Sequence, residues 1–429
     1  MTSRARGRVV PTTREGVPEP FRIAVPQADL VDLRHRLRMT RFGQDPGNQT
    51  GDYGFPTARL RSVVDHWLHE YDWRSSERRM NAVEQVAVTV DGANQHAFVV
   101  RGVGPSPVPL VLDHGWPWTS WDFRRVLAAL ADPASHGGDP YDAFDVVVPS
   151  LPGFGFSGPT TETGWNFWRT ADAQVALMGV LGHERFVVSG GDIGSIVAAH
   201  MGHAHADRVL GVHTTLAAPM TTFQSVPTGQ RPADALSGID YDGTQPAATA
   251  YGPGEEEWAQ WSLGPAGAGY AAIQMTRPQS LAAAMHDSPA GMAAWLLEKR
   301  LAWADCRGDP ESVFTMDDLC ETASIYWLTR TFGSSIRYYA DAVRHPWRPR
   351  HDRRPVVEVP TAVSVFLQDV RRPARNWAER YYDLRQWRVH ERGGHFAPFE
   401  RPDAFVADLR DFVRPLRRTG PGPTARDHR

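Results

Sequence analysis

Lysine is almost missing from this chain: Lys299 stands alone among 46 basic residues, and all the others are arginine. We read that bias as a trace of coding composition, with no function attached. Cysteine is nearly as scarce. Cys306 and Cys320 lie fourteen positions apart, a spacing that fits neither a CxxC pair nor a disulfide framework, so a reducing cytoplasm is the expected setting. No stretch approaches the roughly eighteen apolar residues of a membrane span, and Met1 to Pro20 lacks the apolar segment of a signal peptide. Charge of one sign is not in excess either: 46 basic residues face 49 acidic ones, and no basic run interleaves with aromatics. That balance excludes a nucleic-acid footprint, and no membrane partner is expected. What the chain does hold is apolar material, 41% of 429 residues, enough for two or three compact units working on a small molecule.

In chain order, residues 1–20 and 417–429 read as disordered tails. Residues 21–85 form a helical arm, with apolar residues at helical spacing over Ala28 to Arg38 and Thr57 to Tyr71. Val86 to Val90 and His96 to Val100 flank Asp91-Gly92-Ala93-Asn94 and read as a hairpin. Apolar runs at Val108 to Leu112, Phe144 to Val148, Phe186 to Val188, Val209 to Val212, Ala362 to Phe366 and Trp387 to Val389 alternate with helical patterns. Such alternation predicts an α/β fold with a mostly parallel sheet covered by helices, whose ligands bind at the carboxyl ends of the strands. The sheet is carried by residues 86–216 and 348–416. The gap between them, residues 217–347, is too long for a crossover and is read as a lid. It opens with an irregular flap, Pro219 to Glu256, followed by helices over Tyr270 to Met275, Met292 to Trp303 and Leu319 to Ala342.

Within the first sheet segment, Val187-Val188-Ser189-Gly190-Gly191-Asp192-Ile193-Gly194-Ser195 reads as strand, sharp turn, helix. A nucleophile elbow of this kind needs small residues two positions either side of its centre, here Gly190 and Gly194. An aspartate at the centre needs no base to become nucleophilic. By itself the stretch is equally a glycine-rich turn. His114-Gly115-Trp116-Pro117 follows an earlier strand, so a backbone N–H there, that of Trp116, is placed to join Ile193 N–H in an oxyanion hole; the Trp116–Pro117 bond is a candidate for cis geometry. Gly393-Gly394-His395-Phe396 follows the last strand, where the elbow architecture expects its histidine. Asp369, 26 positions upstream, is the first choice to orient His395, and Glu379 the fallback. His200, His203 and His205 lack a matching Glu or Cys, and no metal is expected. Gly153-Phe154-Gly155-Phe156-Ser157 lacks the third glycine of a dinucleotide loop; it is a strand-end loop that brings Phe154 to the pocket wall, and no cofactor is expected.

Taken together, these motifs resemble the microsomal-type epoxide hydrolases of the α/β-hydrolase superfamily. The match runs from about Pro20 to Leu416 and includes Pro-Phe-Arg-Ile at 20–23, Asp52-Tyr53-Gly54-Phe55 and Tyr71-Asp72-Trp73 in the arm. The resemblance implies two lid tyrosines that activate the epoxide oxygen: Tyr270 in Gly269-Tyr270-Ala-Ala-Ile-Gln, and Tyr339 in Ser334-Ser335-Ile336-Arg337-Tyr338-Tyr339, with Tyr338 as fallback. Two positions depart from the family pattern. Ile193 stands where tryptophan is usual, and Trp118 where glycine is usual, so bulk has moved across the pocket. Trp118, Phe154, Tyr338 and Phe396 are the expected substrate-binding residues.

The implied activity is hydrolysis of an epoxide to a vicinal diol through an ester on Asp192, with a bulky or natural-product epoxide and water as substrates and a homodimer left open. Haloalkane dehalogenation is the alternative chemistry, though Ile193 offers no side-chain N–H for a halide. A non-catalytic binding protein on the same fold is the alternative class, and it would have no use for all five of Asp192, His395, Asp369, Tyr270 and Tyr339.

Overall fold

Alternating β-branched runs and helical segments fold into one nine-stranded sheet. The computed structural model describes residues 9–10, 13–220 and 265–417; most of the expected flap and the C-terminal tail lie outside them. The strands are β1 (Glu19–Pro20), β2 (Glu84–Val90), β3 (Ala93–Val100), β4 (Val108–Asp113), β5 (Phe144–Ser150), β6 (Phe186–Gly190), β7 (Val209–Thr214), β8 (Val357–Phe366) and β9 (Tyr382–His390), in the spatial order β1-β2-β3-β5-β4-β6-β7-β8-β9. Those from β5 to β9 in the spatial order pair in parallel, while β1, β2 and β3 are antiparallel. The central strands are mostly apolar on both faces because both are covered; Leu110, Val146, Val148, Val187 and Val212 are fully buried.

Two expectations change. The N-terminal tail is not disordered up to residue 20. Glu19 and Pro20 pair with Ala87 and Val86, Thr13 Oγ1 lies 3.0 Å from Thr89 Oγ1, and Val9 is buried. The open edge of β2 supplies unpaired backbone groups, and a segment without hydrophobic periodicity satisfies them. The single long helix expected over Leu319 to Ala342 is two helices, Met316–Thr329 and Phe332–Arg344, broken where Arg330 takes the left-handed conformation at φ 59°. The hairpin also tightens to a two-residue turn. Asp91 and Gly92 both have positive φ, which matches the twist of β2 and β3.

The lid comprises helices Pro265–Thr276, Pro278–Met285, Pro289–Trp303 and the two just named. The arm, with helices Gln27–Arg38, Thr57–His69 and Trp73–Met80, docks on that lid. Trp67 Nε1 donates to Ser324 Oγ at 2.8 Å, and Arg79 donates to the buried Glu321 carboxylate at 2.6 Å. No helix among the described residues is long and apolar enough to cross a membrane. The loops after β4, β6, β8 and β9 all emerge at one edge of the sheet, under the lid.

Candidate active site

Asp192 sits at the head of the helix Ile193–Ala204 with φ 52° and ψ −123°, a conformation that few non-glycine residues adopt. The surrounding glycines make this turn possible by close approach. A Cβ on Gly190 would lie 2.1 Å from the Gly194 carbonyl oxygen, and one on Gly194 would lie 2.2 Å from the Asp113 carbonyl oxygen. A Cβ on Gly115 would meet the Asp192 side chain itself at 2.4 Å. The strand-turn-helix therefore presses the carboxylate against the turn that follows β4.

That turn supplies a donor. Trp116 N–H donates to Asp192 Oδ1 at 2.9 Å, and the Trp116–Pro117 bond is cis. The His114 side chain holds the turn from behind: Nε2 accepts Leu151 N–H at 3.1 Å, which leaves the ring proton on Nδ1 to donate to the Gly115 carbonyl at 2.9 Å. Burial depresses the His114 pKa to about 4, so the ring is neutral. From the lid, Arg300 donates to the Pro117 carbonyl at 3.2 Å and pairs with Asp122 at 2.5 Å, both side chains being almost fully buried. Tyr326 Oη donates to the Trp118 carbonyl at 2.8 Å.

Asp192 Oδ2 faces His395 Nε2 at 3.4 Å, and His395 Nδ1 lies 2.9 Å from Asp369 Oδ1. Glu379, the fallback, instead pairs with Arg375 on an exposed helix face. Burial alone would raise the Asp192 pKa, but the hydrogen bond and charge of His395, with the N–H groups of Trp116 and Ile193, hold it below the ordinary value. For His395 burial works the other way and would lower the pKa; the carboxylates of Asp369 and Asp192 overcome it and push the value up to about 10. The resting arrangement is an imidazolium held between two carboxylates.

Above Asp192 stands an aromatic box. Tyr270 stacks on Trp116 with ring centres 5.4 Å apart, Tyr339 meets Trp116 edge-on at 6.4 Å, and the two tyrosines lie 6.2 Å from each other. Burial, the nearby Asp192 charge and the neighbouring phenol raise the pKa of Tyr339; burial and Asp192 raise that of Tyr270, so both remain protonated phenols. The fallback Tyr338 points elsewhere: its hydroxyl bonds to the Pro152 carbonyl and to Thr170 Oγ1, and its ring packs on Phe154. Trp303, to which sequence motifs assign no role, closes the box at 5.0 Å from Tyr270 and 4.9 Å from His395.

Of the expected wall residues, Trp118 packs on His395 at 5.6 Å and approaches Gly191 so closely that a Cβ there would sit 3.0 Å from its ring. Phe396 lies behind it at 5.2 Å. Phe154 packs on His114 and Tyr338, one layer further back. The histidines set aside as metal ligands make hydrogen bonds of their own: His200 with Trp347, His203 with Val356 and Arg350, His205 with Asp172, which His200 also approaches at 3.8 Å. Among the described residues no group of three metal-ligating side chains forms.

Comparison with known proteins agrees with this geometry. Residues 18–123 match the family model for the epoxide hydrolase N terminus, and residues 108–305 match that for the alpha/beta hydrolase fold. A Stigmatella aurantiaca relative is 37% identical over 399 residues, covering 93% of this chain and 85% of the relative. Epoxide hydrolase 1 of Oryctolagus cuniculus is 30% identical over 92% of this chain and 88% of its own. Among solved structures, Aspergillus niger epoxide hydrolase superimposes with a TM-score of 0.76 at 28% identity, covering 93% of this chain and 96% of that one. Juvenile hormone epoxide hydrolase of Bombyx mori gives 0.77 at 25%, covering 94% and 95%. With an aspartate on the elbow, a histidine beside it and an N-terminal arm that matches throughout, this chain belongs to the microsomal-type epoxide hydrolase family of the α/β-hydrolase fold and is an epoxide hydrolase.

Proposed function

We propose that the enzyme opens its epoxide in two steps through an ester on Asp192, with every proton handed between residues of this one site. The observation that carries the proposal is the line Asp369–His395–Asp192, with Trp116 N–H on the opposite carboxylate oxygen. Asp192 Oδ2 attacks an epoxide carbon, the C–O bond breaks, and a proton from Tyr270 or Tyr339 goes to the leaving oxygen. The result is a hydroxyalkyl ester and a phenolate. Esterification removes one of the two negative charges that stabilise the imidazolium, so its pKa falls and its proton can return to the phenolate.

Neutral His395, oriented by Asp369, then takes a proton from water as the water attacks the ester carbonyl. Trp116 N–H and Ile193 N–H hold the oxyanion, and collapse releases the diol and restores both Asp192 and the imidazolium. Protons balance over the cycle: one epoxide and one water give one diol. The box of Trp116, Trp303, Tyr270 and Tyr339 favours a bulky, apolar or aryl-substituted epoxide, with Trp118 on the wall and Phe154, Tyr338 and Phe396 packed one layer behind. The two cysteines, Cys306 and Cys320, are both buried, which fits a reducing, cytoplasmic setting, and we assign the enzyme small-molecule partners only, acting as a monomer or homodimer.

A single turnover in heavy-oxygen water, with enzyme in excess, tests the covalent route. The first diol released is expected to carry unlabelled oxygen from Asp192, with label appearing in Asp192 itself. Label in the diol from the first turnover would overturn the proposal. A second test is the pH profile of kcat/KM, which reports the free enzyme. Because alkylation needs ionised Asp192 and no base, and His395 holds that carboxylate below its ordinary pKa, kcat/KM is expected to stay level across neutral pH and to fall only on the acid side of the usual carboxylate range. A fall centred near neutrality would contradict that charge state.

A further inference from the structure

The loop that carries His395 has no regular secondary structure, yet four successive backbone N–H groups in it are held by residues outside it. Gly393 N–H donates to Asp305 Oδ2 at 2.9 Å, and Gly394 N–H to Glu400 Oε2 at 2.9 Å. His395 N–H donates to the Trp303 carbonyl at 2.9 Å, and Phe396 N–H to Glu400 Oε1 at 2.8 Å. Glu400 Oε2 also accepts Asp305 N–H at 2.8 Å, and Asp305 Oδ2 also accepts from Arg392 Nε at 2.6 Å. Trp303 ends the lid helix Pro289–Trp303, and Glu400 ends the short helix Ala397–Glu400.

The fit leaves no room for movement. A Cβ on Gly394 would lie 2.5 Å from the Trp303 carbonyl oxygen and 2.8 Å from Asp305 N, while Gly393 needs φ +101°. The imidazole has few anchors of its own. Nδ1 meets Asp369, the ring rests on Trp303 and Trp118, and Nε2 has only the longer 3.4 Å approach to Asp192. Its aim is therefore set by the backbone on either side of it, and both sides end on one carboxylate.

We infer that Glu400, assisted by Asp305, is a positioning residue for the base: it clamps the backbone before and after His395 and ties it to the end of the lid helix. This rests on the two-step reading above, in which His395 acts as base only in ester hydrolysis. A displacement of about 1 Å at a reacting group can slow a step roughly a hundredfold. The clamp therefore governs the second step and not the first.

The test compares wild type, E400Q and D305N by rapid-quench kinetics and intact-protein mass, with styrene oxide as the probe. E400Q keeps the side-chain volume but turns one acceptor into a donor facing N–H groups. Alkylation is expected within about threefold of wild type and ester hydrolysis slowed about 10- to 100-fold. The ester then accumulates, and kcat and KM fall together while kcat/KM holds. D305N, which loosens only the Gly393 end, should show the same pattern more weakly, and it carries the test if E400Q does not fold. Equal slowing of both steps, or unchanged hydrolysis, would overturn the inference. Whether an ester forms at all is read separately from H395Q, so failure of the two-step reading is distinguishable from failure of the clamp.

Discussion

His395→Gln is expected to lower steady-state turnover by about 10⁴-fold while still consuming roughly one equivalent of epoxide per enzyme. Glutamine keeps a donor toward Asp369, which lies 2.9 Å from the imidazole in the native site, but it can neither accept a proton from water nor carry the positive charge that faces Asp192. The nucleophile needs no base, since its carboxylate is already ionised. Alkylation therefore proceeds, and hydrolysis does not follow. The variant should show a mass increase of one substrate, mapped by peptide analysis to Asp192. A variant that neither turns over nor gains mass would remove His395 from the second step and return the histidine to a structural role.

Replacing Tyr270 and Tyr339 together by phenylalanine is expected to slow alkylation by about 10⁴-fold, and either change alone by about 10- to 100-fold. Both rings take part in packing that phenylalanine preserves: Tyr270 stacks on Trp116, and Tyr339 meets it edge-on. The loss is thus confined to the hydroxyls. With one phenol left, the leaving oxygen keeps a donor; with none, it departs as a bare alkoxide in a dry site. The rate of ester formation under single-turnover conditions measures this directly. A double variant no slower than the worse single one would mean that one tyrosine carries the proton unaided.

Much of this arrangement is legible from residue types because the chemistry constrains the backbone. Asp192 is recognisable from its flanking glycines, since any side chain on Gly190 would place its Cβ 2.1 Å from the Gly194 carbonyl oxygen. His395 and Asp369 follow from their place after β9 and β8. The lid tyrosines come through family resemblance alone, because nothing in the spacing of Tyr270 and Tyr339 distinguishes a proton donor from a packed ring. The helix Trp73–Met80 escapes periodicity because six of its eight residues are charged or serine and it is set by the Asp72 cap, whose carboxylate accepts Arg74 N–H at 2.9 Å. The break at Arg330 escapes because no glycine or proline marks it. Strand β9 extends well beyond Trp387 to Val389 because it is an edge strand whose arginines weaken its hydropathy. Trp303, Asp305 and Glu400 act through backbone groups of a distant loop, and such contacts leave no motif.

The buried pair of Arg300 and Asp122 bears on how such enzymes can diverge. Arg300 belongs to the lid and Asp122 to the segment just past the oxyanion turn, yet neither side chain reaches solvent. A lid transplanted without its arginine would strand a buried carboxylate, at a cost of about 3–5 kcal/mol. The heritable unit of substrate preference is then larger than the lid. It includes the core segment from Pro117 to Asp122, and recombination that cuts between the two would yield chains that fail to fold before their new specificity could be tried.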